Sequence, residues 1–149
     1  MKGTVDKGDD PMAVSRMEAL GNAGWRQRAL PGFAQRLGPL WTRKEDDAWA
    51  YGILATEEHL NPGGFVHGGV LCALFDHVVS AVAWEAVGRR TCVTVQLNTQ
   101  FLAAAREGQF LEARGRVVRA ASTLVFVEGT IACESTELLR GSSVQKIMA

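Results

Sequence analysis

One acidic side chain stands inside an apolar stretch, and it is the first place to look for chemistry. The fifteen residues 70–84 carry three polar side chains, Asp76, His77 and Ser80. An ionised carboxylate in such surroundings costs several kcal/mol unless it has a partner, a proton or water. It is therefore an ion-paired or solvated acid, or a catalytic carboxylate held partly out of water as base or nucleophile. Just upstream runs Asn61-Pro62-Gly63-Gly64-Phe65-Val66-His67-Gly68-Gly69. Its glycines let the backbone approach a ligand closely. Free N–H groups of Gly68 and Gly69 at a helix start would aim at one oxyanion or polarised carbonyl. A glycine-rich loop that merely turns the chain has the same composition. His67 could bond a ligand or simply pin the loop.

Other chemistries find no footing in the sequence. His59, His67 and His77 lack the i, i+4 spacing of a helical metal pair, so no metal site is expected. The patterns G-x-S-x-G, G-x-G-x-x-G and the P-loop do not occur, which disfavours serine hydrolases, dinucleotide enzymes and P-loop NTPases; no cofactor is expected.

The elements that must position these residues are legible from periodicity. Residues 70–87 read as one helix, apolar nearly all round and so buried, entered at Gly68-Gly69 and stopped at Gly88. Residues 91–102 alternate, with Val93, Val95, Leu97, Thr99 and Phe101 on one face and Thr94 on the other, where it is a strand former or a site hydroxyl. Residues 108–119, 123–133 and 137–148 read as three more strands with short connections suited to antiparallel neighbours. Residues 39–45 and 48–56 read as a hairpin turning on Lys44-Glu45-Asp46-Asp47, a charge run most simply explained as a solvated turn. Before them, Asp10 as N-cap and Pro11 at N1 open an amphipathic helix on Val14, Met17 and Leu20 that ends at Gly21. Phe33, Leu37 and Trp41 suggest a short helix leading into a strand, and residues 1–10 are expected to be disordered. The result is an α+β chain, a long antiparallel sheet around one central buried helix with an N-terminal helical extension. It divides into residues 1–38 and a domain of residues 39–149.

Composition bounds the partners. The 149 residues balance 16 Lys+Arg against 16 Asp+Glu, so the broad positive footprint of a nucleic-acid binder is missing. Cys72, Cys92 and Cys133 include no C-x-x-C and read as small hydrophobes in a reducing compartment. The charged N-terminus is unlike a secretory signal, and no apolar run approaches the ~18 residues of a membrane span. A cytoplasmic protein with no membrane partner is expected.

At this point the residues carry a family resemblance. Asn61-x5-His67-Gly68-Gly69-x6-Asp76, followed by a strand with Val93-Thr94-Val95 and then long strands, resembles the hotdog-fold acyl-CoA thioesterases of the phenylacetate-pathway-like branch, within the 4-hydroxybenzoyl-CoA thioesterase superfamily. The resemblance spans roughly residues 49–148. It implies a hotdog fold, an acyl-CoA substrate, and a homodimer joined sheet edge to sheet edge, often paired again into a homotetramer. It also implies an active site across the dimer interface. The Gly68 N–H would polarise the thioester carbonyl, with Gly69 beside it. Asn61 would place water or substrate, and His67 would hold the loop and Asn61. Asp76 of the facing protomer would be base or nucleophile, with Thr94 assisting.

Arg89, Arg90, Arg106, Arg114, Arg116 and Arg119 are available to coenzyme phosphates. The turn Arg119-Ala120-Ala121-Ser122 stands where the family often has a Gly-Arg or Gly-Lys pair, so Arg119 and Ser122 are candidate substrate contacts. Trp25, Phe33 and Trp41 of the extension would cap the acyl pocket or the dimer. The competing reading is a hotdog module that binds acyl-CoA without catalysis; the histidine motif of hotdog hydratases does not occur.

Overall fold

The computed structural model describes residues 11–149. Asp10, the expected N-cap, and the segment expected to be disordered lie outside the described residues. Helix α1 spans Pro11–Asn22, one residue past the expected stop. Val14 and Met17 of its expected apolar stripe are exposed, while Leu20 packs on a small cluster with Trp25, Trp41, Ala50 and Phe110. A short strand β1 (Arg26–Arg28) and a 3-10 turn (Gly32–Leu37) lead into β2 (Leu40–Glu45).

Strands β2 and β3 (Ala48–Leu54) form the expected hairpin, with Glu45 opposite Ala48 and Asp46 turning at φ +44°. A primed two-residue turn needs such a left-handed residue, and a short acidic side chain tolerates it. Strand β3 does not alternate between core and solvent. Residues 50–53 are all buried, because the helix covers one face and the tryptophan cluster the other.

Helix α2 (Gly68–Ala86) begins two residues earlier than periodicity suggests. His67 closes its N-terminus, with Nδ1 accepting from the Gly69 N–H, and Gly88 leaves at φ +67° beyond the C-cap Val87. Leu71, Leu74, Phe75, Val78, Val79 and Ala83 recur at helical spacing and are buried against the sheet. The face carrying Cys72, Asp76, His77 and Ser80 stays half-buried. At 19 residues and mean hydropathy 1.4, α2 is long and apolar enough to cross a membrane by composition alone, contrary to the expectation that no such run exists. Asp76 and His77 interrupt the run without making it polar on average. In this fold it is the core helix.

After α2 come β4 (Cys92–Phe101), β5 (Phe110–Ala120), β6 (Leu124–Cys133) and β7 (Thr136–Ile147). The single antiparallel sheet has the order β1-β2-β3-β5-β6-β7-β4. Strands β4 and β5 are thus not the hairpin their short connection suggested; β4 pairs with β7 at the far edge. Crossing three strand spacings covers ~14 Å, and eight residues reach up to about 28 Å, so the connection suffices.

The sheet wraps α2 because the helix can sit very close to it. Gly115, Gly129 and Gly141 stand opposite one another across β5, β6 and β7. A Cβ at Gly141 would lie 2.8 Å from the Phe75 ring, and one at Gly129 would lie 3.2 Å from it. The glycines make room for the largest side chain on the buried face of α2.

Candidate active site

The Asp76 carboxylate is held by a polar chain that begins on β4. The register slips between Thr94 and Gln96, a bulge that flips the strand's phase. Val93 and Val95 consequently face solvent, Val95 at 60% exposure, while Thr94 turns toward the helix. Its hydroxyl donates to Asp76 Oδ1 at 2.7 Å. Thr94 Oγ1 in turn accepts from Gln145 Nε2 at 3.1 Å. The same amide donates to Ser143 Oγ at 2.7 Å, and Ser143 donates to the Gln96 carbonyl at 3.0 Å. Ser80 Oγ, one helical turn after Asp76, donates to Gln145 Oε1 at 3.4 Å. With both amide hydrogens committed, the Thr94 proton is directed at the carboxylate. Asp76 Oδ2 has no hydrogen-bond partner among the described residues.

Periodicity missed Gln145, Ser143 and Ser80 as site residues, although a signal was available. Gln145 is 0% exposed, and with Ser143 it occupies the inward phase of β7, shared with Leu139 and Ile147. Two polar side chains at core positions require partners.

The loop before α2 is built around its own backbone. Asn61 Oδ1 accepts from the N–H groups of Gly63 at 2.9 Å and Phe65 at 3.2 Å, so that oxygen shapes the loop. His67 caps the helix, and no hydrogen bond joins it to the Asn61 side chain among the described residues. Pinning falls instead to His59, which is buried. Its Nδ1 accepts from the Thr56 N–H at 3.0 Å and its carbonyl accepts from the His67 N–H at 2.8 Å. Burial pushes the His59 imidazole down from its usual value, against the nearby Glu58 charge and a bond to the Leu37 backbone, so it stays neutral.

At the start of α2 the two glycines differ. The Gly69 N–H is committed to His67, whereas the Gly68 N–H has no acceptor among the described residues. The Phe101 ring lies 3.2 Å from where a Gly68 Cβ would be, so the backbone here is bare on one side and walled by an aromatic on the other. Of the arginines considered for phosphates, Arg106 stacks 4.5 Å over Phe65 in the loop, while Arg114 and Arg116 are paired with glutamates. Arg119 and Ser122 are exposed at the end of β5 and in the turn after it. Their side chains make no hydrogen bond or ion pair among the described residues, and within the chain they are not joined to the Asp76 or Gly68 groups.

Asp76 and Gly68 are eight helical residues apart, ~12 Å along the axis, so the two cannot act on one carbonyl within a single chain. What each can do is clear. The first is an acid with one free oxygen and an oriented hydroxyl; the second is a free N–H at a helix start, reinforced by the helix dipole.

A curved antiparallel sheet wrapped around one helix, with these groups on the helix, is the hotdog fold. The chain belongs to the thioesterase superfamily, whose family model matches residues 63–139. A provisionally named esterase of Pseudomonas aeruginosa is 32% identical over 97 residues, covering 64% of this chain and 72% of that protein. Zebrafish thioesterase superfamily member 2 superposes with a TM-score of 0.73 at 19% identity, over 90% of this chain and 97% of that one. A hypothetical thioesterase of Streptococcus pneumoniae, solved with coenzyme A, superposes at 0.68 with 19% identity, over 83% and 97%.

Proposed function

We propose that the protein hydrolyses acyl-CoA thioesters at a site shared between two copies of the chain. The observation that carries this reading is the pairing of a free helix-start N–H at Gly68 with a partnered carboxylate at Asp76, too far apart to cooperate within one chain. The coenzyme A bound in the Streptococcus pneumoniae structure supports the choice of thioester.

In this mechanism the thioester carbonyl oxygen accepts from the Gly68 N–H of one protomer, which stabilises the charge that develops there. Asp76 of the other protomer, oriented by Thr94, acts through its free oxygen as general base to water or as nucleophile. A thiol with a pKa near ~8.5 leaves as thiolate without a strong acid to protonate it, so few groups are needed. His67 and Asn61 act on the shape of the oxyanion loop.

Strand β4 supplies the means of association. It is a ten-residue edge with Val93, Val95 and Phe101 exposed, the kind of edge that pairs with another strand unless blocked. A homodimer through β4, paired again into a homotetramer, is part of the proposal.

The test is release of free thiol from acetyl-, hexanoyl-, palmitoyl-, phenylacetyl- and benzoyl-CoA by wild type and by folded Asp76→Ala. Turnover that the substitution lowers by about 100-fold or more is expected for loss of a base or nucleophile. No turnover on any substrate, with acyl-CoA bound equally by both proteins, would replace catalysis by the binding-module reading.

A further inference from the structure

We infer that two copies of the chain meet antiparallel along β4 with Asn98 on the two-fold axis, so that the partner's Phe101 stands opposite Thr94 and enters the site that holds Asp76. This rests on the shared site proposed above and fixes the register in which two chains build it.

One face of α2 sets the geometry. Gly68, Cys72, Asp76 and Ser80 recur every four residues and so lie on one side of the helix. That side looks at β4. A Gly68 Cβ would lie 3.2 Å from the Phe101 ring, Cys72 Sγ lies 3.7 Å from Thr99 Oγ1, and Asp76 bonds Thr94. Gly68 therefore belongs to the Phe101 end of the strand and Asp76 to the Thr94 end. For one carbonyl to reach Gly68 of one copy and Asp76 of the other, those two ends must lie side by side. In a closed pair of identical chains the relation is reciprocal, so the residues midway between the two ends fall on the axis. On the helix that residue is Cys72. On the strand it is Asn98, the neighbour of the Thr99 that Cys72 touches.

The bulge makes this register consistent. Residues that face each other in antiparallel strands share a face of the sheet, and a bulge leaves one residue out of the count. With Val95 left out, Asn98 meets its own copy, Gln96 meets Gln100 and Thr94 meets Phe101. One step further, Val93 at 43% exposure meets Leu102 at 54%. Amides are set against amides, and two apolar side chains that one copy leaves in water cover each other. Moving the axis by one residue sets Val93 against Gln100, or Gln96 against Leu102. The partner's Phe101, already against its own Gly68, then forms the strand-side wall of the site.

The experiment reads the register by cross-linking. Leu97 packs on the core and Thr99 on Cys72, so Gln96, Asn98 and Gln100 stand on the other face of β4, where all three are exposed. Facing residues of antiparallel strands have Cα atoms about 4.5–5.5 Å apart, within disulfide reach. Oxidised with copper–phenanthroline, Asn98→Cys should run as a covalent dimer, its bond mapped to position 98 by mass spectrometry. Gln96→Cys and Gln100→Cys, each about 13 Å from its own copy, should bond only when refolded as a mixture. On the far side of the bulge, Val93→Cys with Leu102→Cys in one chain should give a covalent dimer that neither substitution gives alone. Position 96 or 100 bonding to itself overturns the register, as does absence of both the 98–98 and the 93–102 bonds in a protein that light scattering shows to be dimeric. Hydrolysis stands in either case if wild type releases thiol. The expected bonds in a protein that releases no thiol from any acyl-CoA sustain the register and overturn hydrolysis. A monomeric protein overturns the register whether or not it releases thiol.

Discussion

At Asp76, one carboxylate oxygen is held by Thr94 and the other has no partner among the described residues, and the holding group is itself held by Gln145. The arrangement separates two kinds of loss. Asp76→Asn removes the proposed base or nucleophile and should lower kcat by ~100-fold or more with the fold intact. Gln145→Leu leaves Asp76 and Thr94 in place but frees the Thr94 proton from its direction. Its expected effect is a fall of roughly 10- to 100-fold in kcat with KM little changed, as for misplacement of a reacting group. Steady-state thiol release checks both, and a Gln145→Leu enzyme altered only in KM would remove the orienting chain from the mechanism. Asp76, Gly68 and Thr94 stand out in the sequence as candidates because each breaks a local pattern or completes a spaced motif. His59 does not, because its importance comes from contacts made only when the loop folds back on itself.

Among the elements, α2 and the long strands were readable because their periods are strong, with ends displaced by a residue or two. The two features that matter most for the site were not. The bulge near Val95 shifts the phase of β4, so Val93 and Val95 do not share a face with Leu97 and Thr99 as strict alternation has it, while Thr94 does lie opposite the two valines. The pairing of β4 with β7 depends on sheet closure around α2, which no short segment encodes. The glycine row across β5, β6 and β7 makes that closure possible and is open to test. Gly141→Ala places a methyl against the Asn98 carbonyl and the Phe75 ring. Overpacking of this kind costs about 1–3 kcal/mol, read as a lower denaturant midpoint. An unchanged midpoint would show that the helix does not depend on this close approach.

For the molecule as a whole, an ionic cluster on the sheet contributes to its stability in mild acid. Glu45 is lowered to a pKa of about 2, chiefly by hydrogen bonds from Arg114, with burial opposing and Arg43 assisting. A carboxyl group whose folded pKa lies below its unfolded value of 4.5 stabilises the protein above that pH. The contribution is lost as the pH falls toward 2. Glu45→Gln should therefore flatten the decline of melting temperature between those limits, and curves of equal steepness would remove Glu45 as its cause. The larger question is whether the site is built from two chains. Gly68 is the first residue of α2, where proline is tolerated, and His67 before it is extended at ψ 136°, so Gly68→Pro deletes the N–H with little cost to the helix once the Phe101 ring, 3.2 Å from the new Cβ, gives way. Asp76→Ala and Gly68→Pro proteins should each be nearly inactive alone. Unfolded together and refolded as a mixture, they should regain about a quarter of wild-type thiol release, since half the dimers are mixed and each of those rebuilds one of two sites. A mixture no more active than its components would contradict a shared site and the mechanism built on it.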